Sequence, residues 1–414
     1  MLTWRPAEGH TERMIRLAVA GTGLLLLTPL VVILLPALAG LFQNGIVAPA
    51  DGGRLWHLAF RSALLAGGAA TLATCSGAGL AWLLTIRPNL WSALRVPLLL
   101  PLVLPPYLVT LGWVAATDAV AMKWGIQPGL SGLPWGVAIL GLAAAPPAAL
   151  VLGTILRRAP AAPIESALLS LGPAGALRTA ILPLWRRPAA TIWLFVFGQT
   201  LAEYGVPLYL QVPVLATELV SAFAGGEPAG NVLLASWPLA LLLAVTIAVW
   251  ASATSIEGRS RRAPDRPGRL PWLETADWPR PWRGATLLGG IAAFAGLVVP
   301  LIGLVLGAFR SGSGPALLLA AIPALRMSVW LATGCALLAI GPALILGDVL
   351  GAASSRIPLL LTALALAIPA GCTGIAHAAF WIRTPFAGGE TAIWAGHLAR
   401  ILPAVWLVAA LMRS

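Results

Sequence analysis

The chain has 414 residues, of which 59% are apolar and only 10% are charged. Soluble domains carry about 25% charged residues, so this composition excludes a soluble globular protein, and its high hydrophobicity excludes intrinsic disorder. The formal net charge is +12, yet Lys123 is the only lysine, which excludes a Walker A phosphate loop with its Gly-Lys-Ser/Thr core.

Ten apolar runs follow one another along the chain. About 20 apolar residues are needed to cross the hydrocarbon core as a helix. The first run is too long for the apolar region of a typical signal peptide, so we interpret it as a retained span. The fold class predicted is all-α: a polytopic membrane protein with ten transmembrane helices. The runs are 17–41, 62–84, 96–117, 133–156, 188–210, 230–253, 284–309, 327–352, 357–382 and 391–412.

The basic residues are unevenly distributed between the loops. With the N-terminus in the cytoplasm, the inside segments hold 19 Lys and Arg and the outside segments hold 6. The positive-inside rule therefore predicts a cytoplasmic N-terminus. The basic charge is explained by topology, and we expect no nucleic-acid partner.

Nothing in the sequence indicates catalysis or a cofactor. Cys75, Cys335 and Cys372 lie in apolar stretches and form no CxxC pair, so neither a disulfide nor a zinc site is expected. The loops carry no paired carboxylates, His-rich cluster or nucleophile constellation. We therefore expect no catalytic, metal or cofactor-binding residues.

An internal repeat divides the chain into two parts. Residues 254–283 hold seven Arg and five Pro, which is typical of a linker, here placed in the cytoplasm. An even number of spans precedes this linker, so the repeat is parallel. The offset between matching residues drifts from 266 to 256 along the chain. The matches are Ser62 with Ser328, Arg95-Val96-Pro97 with Arg356-Ile357-Pro358, Pro147 with Pro403, and Arg157 with Arg413.

The two parts differ in length. Residues 1–253 form a six-span half, whereas 284–414 hold only four spans and stop just beyond the counterpart of Arg157. We therefore expect a fragment whose second half lacks a loop equivalent to 157–187 and two further spans.

The cytoplasmic loop 157–187 has an unusual order of helix-forming and helix-breaking residues. A short helix is predicted to start after Pro163, with Glu165 in the first turn, where the helix dipole favours an acid. The helix should break at Gly172-Pro173, and a second short helix should end before Pro183. An exposed apolar face on the first helix is suited to docking in a groove, and basic residues can hold the loop at an anionic lipid surface. These residues are Leu168, Leu169 and Leu171, and Arg178, Arg186 and Arg187.

This loop resembles the EAA loop of binding-protein-dependent ABC transporter permeases. Ser166 replaces the first alanine of the Glu-Ala-Ala pattern, the glycine comes one residue later than usual, and the gap to the proline is about two residues shorter. The resemblance implies an element that couples the spans to an ATPase. The residues that match the family's pattern are Glu165, Ala167, Gly172, Ile181, Leu182 and Pro183.

Two six-span halves joined by a cytoplasmic linker resemble the fused ferric-iron and thiamine permeases, which are type I ABC importers. Glu203-Tyr204-Gly205, followed by Thr217-Glu218, is similar to an element of the iron type. The resemblance implies a transport subunit of a bacterial inner membrane that is not itself an enzyme. The expected cargo is a small solute, ferric iron first, with thiamine, polyamines and phosphonates as alternatives. The implied partners are a homodimer of ATPase subunits, a periplasmic substrate-binding protein and membrane lipid.

Ionisable residues inside spans are functional candidates because burying them in lipid is costly. Gln199 lies one turn before Glu203, and we take Gln199, Glu203 and Tyr204 as candidates for the translocation path, with a structural hydrogen bond as the equal alternative. Asp348 is expected to reach water, and Arg400 to snorkel or to pair with another helix. His377 and His397 are interpreted as packing residues.

Two other classes remain open at this stage. A secondary transporter with parallel repeats would need several membrane-embedded acids for ion coupling, and only Glu203 and Asp348 qualify. A membrane enzyme would need a reactive constellation on a loop, and the sequence shows none.

Overall fold

The computed structural model describes residues 52–125, 129–255, 277–310, 314–352 and 370–413, together with isolated positions between 28 and 35. This part of the chain consists of helices and short connections and contains no strand, which confirms the all-α class. The first eight helices are α1 Gly52–Thr85, α2 Pro88–Leu94, α3 Leu100–Val103, α4 Pro106–Trp124, α5 Leu133–Arg157, α6 Ala161–Ala176, α7 Leu182–Ala202 and α8 Gly205–Tyr209.

Seven more helices follow. Two short non-α segments also occur: the 3-10 turn Pro97–Leu99 before α3, and the π turn Leu177–Ile181 between α6 and α7. The later helices are α9 Leu215–Ala224, α10 Ala229–Ala235, α11 Trp237–Ser255, α12 Arg280–Arg310, α13 Gly314–Ala352, α14 Ala370–Trp381 and α15 Glu390–Arg413.

Several helices have the length and composition of membrane spans. Five qualify on their own, and the pair formed by α10 and the start of α11, bent by 47°, makes a sixth. The chain is therefore a helical protein with the character of a membrane protein, while the number of ten spans stays a prediction. The five are Gly53–Thr85, Leu133–Arg157, Ala161–Ala202, Arg280–Arg310 and Ala321–Ile340.

The other expected spans are interrupted or not fully described. The run 96–117 is not one helix, because Leu104 is extended between α3 and α4. Proline disfavours the helical conformation of the residue before it, and the pair Pro105-Pro106 imposes this on Leu104 and then starts α4. The run 17–41 lies almost entirely outside the described residues, as does the first half of 357–382.

The chain forms two compact units. The first comprises 60–214 and 248–314, and the second, as far as it is described, comprises 1–59, 215–247 and 315–414. Helix α12, which the sequence assigns to the second half, packs in the first unit. The compact units thus do not follow the linear order of the chain, and the predicted division into halves and linker stays a prediction, as does the repeat.

Glycines allow the closest helix contacts in the first unit. A Cβ added at Gly112 of α4 would meet the backbone of Pro300 on α12, and one added at Gly303 of α12 would meet the backbone of Gly112. Gly79 of α1 lies equally close to the backbone of Gly289. Small residues let helix backbones approach within van der Waals contact, and this contact holds helices together in lipid.

The contacts between α1 and α5 show that these two helices are parallel. Gly68, in the middle of α1, lies against Val137 near the start of α5, and Gly77 lies against Ala148 further along both helices. Two parallel helices must be separated by an odd number of crossings in the other direction, which agrees with the predicted order of spans.

Helix α7 runs in the opposite direction to α1. The indole Nε1–H of Trp193 donates a hydrogen bond of 3.0 Å to the hydroxyl oxygen of Thr71 in the middle of α1. The ring of Trp185, earlier in α7, lies 6.2 Å from that of Trp82, near the end of α1.

The second unit has a smaller core between α13 and α15. Cys335 and Ala339 pack against Leu398 and Leu402. In the same unit, the indole of Trp330 on α13 donates a hydrogen bond of 2.9 Å to the carboxylate of Glu390, the first residue of α15.

Enlarging Gly303 should weaken the first unit. Gly303→Ala places a Cβ against the backbone of Gly112, where neither helix can yield without moving apart, and such overpacking costs about 1–3 kcal/mol. The matched control is Gly284→Ala on the same helix, where a Cβ meets nothing within 4 Å and helix propensity improves by about 1 kcal/mol. Thermal unfolding of the purified protein in detergent should give a lower Tm for Gly303→Ala only. Equal Tm values for the two variants would contradict the close contact.

Candidate functional site

Loop 157–187 forms a bent helical element, which we call the elbow, at residues 161–181. Helix α6 starts at Ala161 after Pro160, three residues earlier than predicted. Glu165 therefore lies in the second turn and not in the first, so the dipole argument for its position was wrong. The first N–H groups of a helix have no intrahelical partner, and a proline at the third helical position, Pro163, is accordingly tolerated.

One face of α6 anchors the elbow, and another face is left uncovered. Ile164 is buried and Leu168 packs partly against the core of the first unit. Leu169 is 90% exposed and Leu171 is 57% exposed. Residues four apart share a helix face, so Glu165 and Leu169 lie together on the outer face; Glu165 and Ser166 are exposed, and Ala167 is half-buried.

The predicted break at Gly172 is confirmed. Gly172 has φ 69° and ψ 179° inside α6, in a region of backbone space that essentially only glycine occupies. A Cβ at this position would meet nothing within 4 Å. The glycine is therefore required by its backbone conformation and not by lack of space.

The predicted end of a helix before Pro183 was wrong. The chain continues from α6 through the π turn Leu177–Ile181 directly into α7. A proline inside a helix lacks an N–H and clashes with the carbonyl four residues earlier. The wider π turn moves those carbonyls out of register, so Pro183 is accepted in the first turn of α7. Ile181 is fully buried, whereas Leu182 and Pro183 are exposed.

A tryptophan cluster, which the sequence analysis missed, holds the exit of the elbow. The indole Nε1–H of buried Trp185 donates a hydrogen bond of 3.2 Å to the carbonyl oxygen of Leu152. The ring of Trp82 packs edge-on against Trp185, Trp278 and Trp282, with centroids 4.9–6.2 Å apart. Trp185 comes two residues after Pro183, and this closeness to the Leu-Pro pair was the one local signal for its role.

The entrance of the elbow is held by a cation–π contact. The guanidinium of Arg157, at the end of α5, lies 5.2 Å from the ring centroid of Trp91 on α2. Gly153, one turn earlier, leaves room for this ring. Arg178, Arg186 and Arg187 are exposed around the elbow, so an apolar tip is surrounded by basic side chains.

The candidate path residues lie where α7 ends. Helix α7 stops at Ala202, within the predicted span 188–210, and Glu203 is extended. The Oε1 atom of Glu203 accepts hydrogen bonds from the N–H groups of Gly205, at 2.8 Å, and Val206, at 3.3 Å. Glu203 is half-buried, and Gln199 and Tyr204 are exposed. The hydrogen bond foreseen for Glu203 exists, and its role in a path stays a prediction.

A second helix interruption lies beside the first. The Cβ atom of Tyr107, at the start of α4, is 3.7 Å from the position that a Cβ on Gly205 would occupy. The break at Leu104-Pro105 therefore meets the break at Glu203-Tyr204. The Pro105-Pro106 pair is a sequence signal for the break at Leu104-Pro105. No local sequence pattern predicts that this break contacts the one at Glu203-Tyr204.

The other ionisable residues predicted to lie inside spans are His377, His397, Asp348 and Arg400. His377 is buried and its Nδ1 accepts a bond of 3.4 Å from the indole of Trp381, in keeping with a packing residue, and Nδ1 of exposed His397 lies 2.9 Å from the carbonyl oxygen of Ile393. The side chains of Asp348 and Arg400 are outside the described residues. In the described part of the chain, no three His, Cys, Asp or Glu side chains are grouped so as to hold a metal ion.

Comparison with known proteins leaves these sites to be interpreted from their geometry. No protein-family profile, curated protein or solved structure matches the chain.

Substitution of Gly172 should destabilise the elbow although space is available. Gly172→Ala forces a side chain into the glycine-only region at a cost of about 1–3 kcal/mol. Gly284→Ala adds the same methyl group in equally open space without positive φ. Limited proteolysis should cleave 157–187 faster in Gly172→Ala than in Gly284→Ala. Equal cleavage rates would show that the elbow does not need its bend.

Two substitutions at Glu203 should separate its hydrogen bonds from its charge. Glu203→Gln keeps an oxygen that can accept both N–H groups, so the protein should accumulate as the wild type does. Glu203→Ala removes the acceptor and, because bonds to charged groups are worth about 1.5–3 kcal/mol, should lower the Tm by several degrees. Quantitative immunoblotting and thermal unfolding measure both. A Gln variant as unstable as the Ala variant would contradict this division.

Proposed function

We propose that this chain is the membrane-spanning subunit of an ATP-binding cassette importer that carries a small solute into the cell. The proposal rests mainly on the structure of the elbow. It is anchored on its inner face by Ile164 and Leu168, yet it exposes Leu169 at 90%. Leu171 is also exposed on the same short helix, and an apolar patch exposed on a fixed scaffold is typical of a site that contacts another protein or a membrane.

The shape and chemistry of the elbow fit a groove on an ATPase subunit. A short helix with an apolar outer face docks helix-in-groove. The bend at Gly172 limits the docking helix to about three turns, and Arg178, on the segment after the bend, is exposed and can pair with acids on the rim of such a groove. The resemblance to the EAA loop supports the same partner, and a pair of ATPase subunits would match two halves of the importer.

The distribution of basic residues supports a cytoplasmic position for the elbow. Helices α1 and α5 end near it, and α7 and α12 begin near it. The basic residues at these ends are exposed or half-buried, whereas the acids described at the same ends are only Glu165 and Asp277. These basic residues are Arg87, Arg95, Arg157, Arg158, Arg178, Arg186, Arg187, Arg280 and Arg283.

The proposal includes a bacterial inner membrane and a periplasmic binding protein that delivers the solute. Alternating access would open the interior of the helix bundle first to that protein and then to the cytoplasm. Gln199, Glu203 and Tyr204 are the proposed path residues in the part of the chain that is described. A cationic solute suits the acidic Glu203; ferric iron, thiamine and polyamines are cations, whereas phosphonates are not.

Docking at the elbow should depend on Leu169. Leu169→Asp puts a charge where an apolar contact is expected, and loss of a buried leucine contact costs about 1.5–3 kcal/mol, or roughly a tenfold to hundredfold loss of affinity. The control is Leu90→Asp, on helix α2, which is also an exposed leucine. Co-purification with the cognate ATPase, and ATP-dependent uptake, should fall only for Leu169→Asp.

The same experiment separates the classes of transporter. A secondary transporter would show uptake without ATP and no ATPase partner. If Leu169→Asp and Gly172→Val both retain ATPase binding and uptake at the wild-type level, the elbow is not the coupling element and the proposal fails.

A further inference from the structure

Two interrupted helices meet inside the first unit at an acidic residue. Helix α4 starts beside the end of α7, since Tyr107 lies against Gly205. Glu203, two residues before Gly205, is the extended residue at the second interruption. Non-helical backbone within a membrane is tolerated where protein buries it or where it lines a water-filled cavity.

The depth of Glu203 in the membrane follows from the number of helical residues between the meeting point of the two breaks and a charged residue on each side. Asp118 is exposed on α4, and 11 residues separate it from Tyr107, which at 1.5 Å per residue is about 16 Å. Arg187 is exposed on α7, and 16 residues separate it from Glu203, which is about 24 Å. With these charged residues at the two boundaries of a core about 30 Å thick, Glu203 lies about 6–16 Å below the outer boundary, deeper than the aromatic belt of the interface.

All three tyrosines of the chain lie around this point. Tyr107, Tyr204 and Tyr209 are each 42–50% exposed. Tyr209 is one turn after Gly205 and shares its face of α8. The next residues are also unusual, because Gln211 has φ 56°, the one positive φ among the described non-glycine residues. We call Tyr107, Tyr204, Tyr209 and Glu203 the tyrosine patch.

The charge of Glu203 is not balanced by the described part of the chain. Its Oε1 accepts two backbone hydrogen bonds, while its Oε2 accepts none from described residues. Arg54 pairs with Glu218 and Arg283 pairs with Asp277, and neither of these ion pairs includes Glu203. A carboxylate at this depth is costly, so a cationic ligand would be attracted to it.

We infer that the tyrosine patch is a binding site for an organic cation, with an amine or a quaternary ammonium group, along the path through the membrane. This inference rests on the proposed transport function and narrows its solute. The electron-rich faces of tyrosine rings attract such cations, and Oε2 of Glu203 supplies the counter-charge. A metal ion would instead need several strong ligands, and beside one carboxylate the patch could offer only tyrosine phenolates, a role that the Phe substitutions below test.

The inference is tested by measuring solute binding to the full-length chain in lipid nanodiscs. No ATP or ATPase is present, so the result is independent of coupling at the elbow. The probes are radiolabelled thiamine and spermidine as organic cations and ferric citrate as the metal. We expect the wild type to bind at least one organic cation. Glu203→Gln and Tyr107→Ala should each weaken that binding about tenfold, whereas Tyr107→Phe, which keeps the aromatic face, should stay within about twofold.

Matched variants control for charge and exposed aromatic area. Asp118→Asn removes an exposed acid of α4, and Phe195→Ala removes an exposed ring of α7; both should bind as the wild type does. If Tyr107→Ala does not accumulate, the pair Tyr209→Ala and Tyr209→Phe repeats the test. The inference is overturned if Phe substitution is as damaging as Ala, which would indicate phenolate coordination of a metal, if ferric citrate alone binds, or if neither organic cation binds at about 10 mM.

Discussion

The contact of α12 with α4 is the interaction on which the first unit depends. Lipid tails are as apolar as leucine, so burying apolar surface does not drive helices together inside a membrane, and close van der Waals contact must do so. Gly112 and Gly303 supply that contact through their backbones. Helix α12 also reaches α1 at Gly289, and its first turn carries Trp282 into the tryptophan cluster beside the elbow.

Prolines and glycines then decide where the helices bend. The Pro-Pro pair at 105–106 interrupts one membrane segment, Gly172 bends the elbow, and the π turn before Pro183 lets the chain continue without a loop. Glu203 lies in extended backbone at the end of α7, and Leu169 is exposed just before the bend at Gly172.

The sequence predicts the all-helical class and the break at Gly172, because apolar runs and a Gly-Pro pair are local signals. It misplaces the start of α6, since prolines at 160 and 163 both fit a helix N-terminus. It cannot predict the π turn, which depends on the register of carbonyls around Pro183. The meeting of Tyr107 with Gly205 joins residues nearly a hundred positions apart, and only packing brings it about. The Trp185 bond to Leu152 is equally non-local.

The direct passage from the elbow into α7 has a mechanical consequence. A flexible loop would absorb a displacement of the elbow, but a continuous helix transmits it as a rotation. Ile181 and Trp185 are buried, so this point would be the pivot of a lever whose long arm runs about 26 Å from Trp185 to Ala202. The short arm ends at the bend of Gly172. Measured from Trp185, the arm to Gly172 is about 20 Å and the arm to Ala202 about 26 Å, so a displacement at Gly172 would reappear at Ala202 enlarged by about a third.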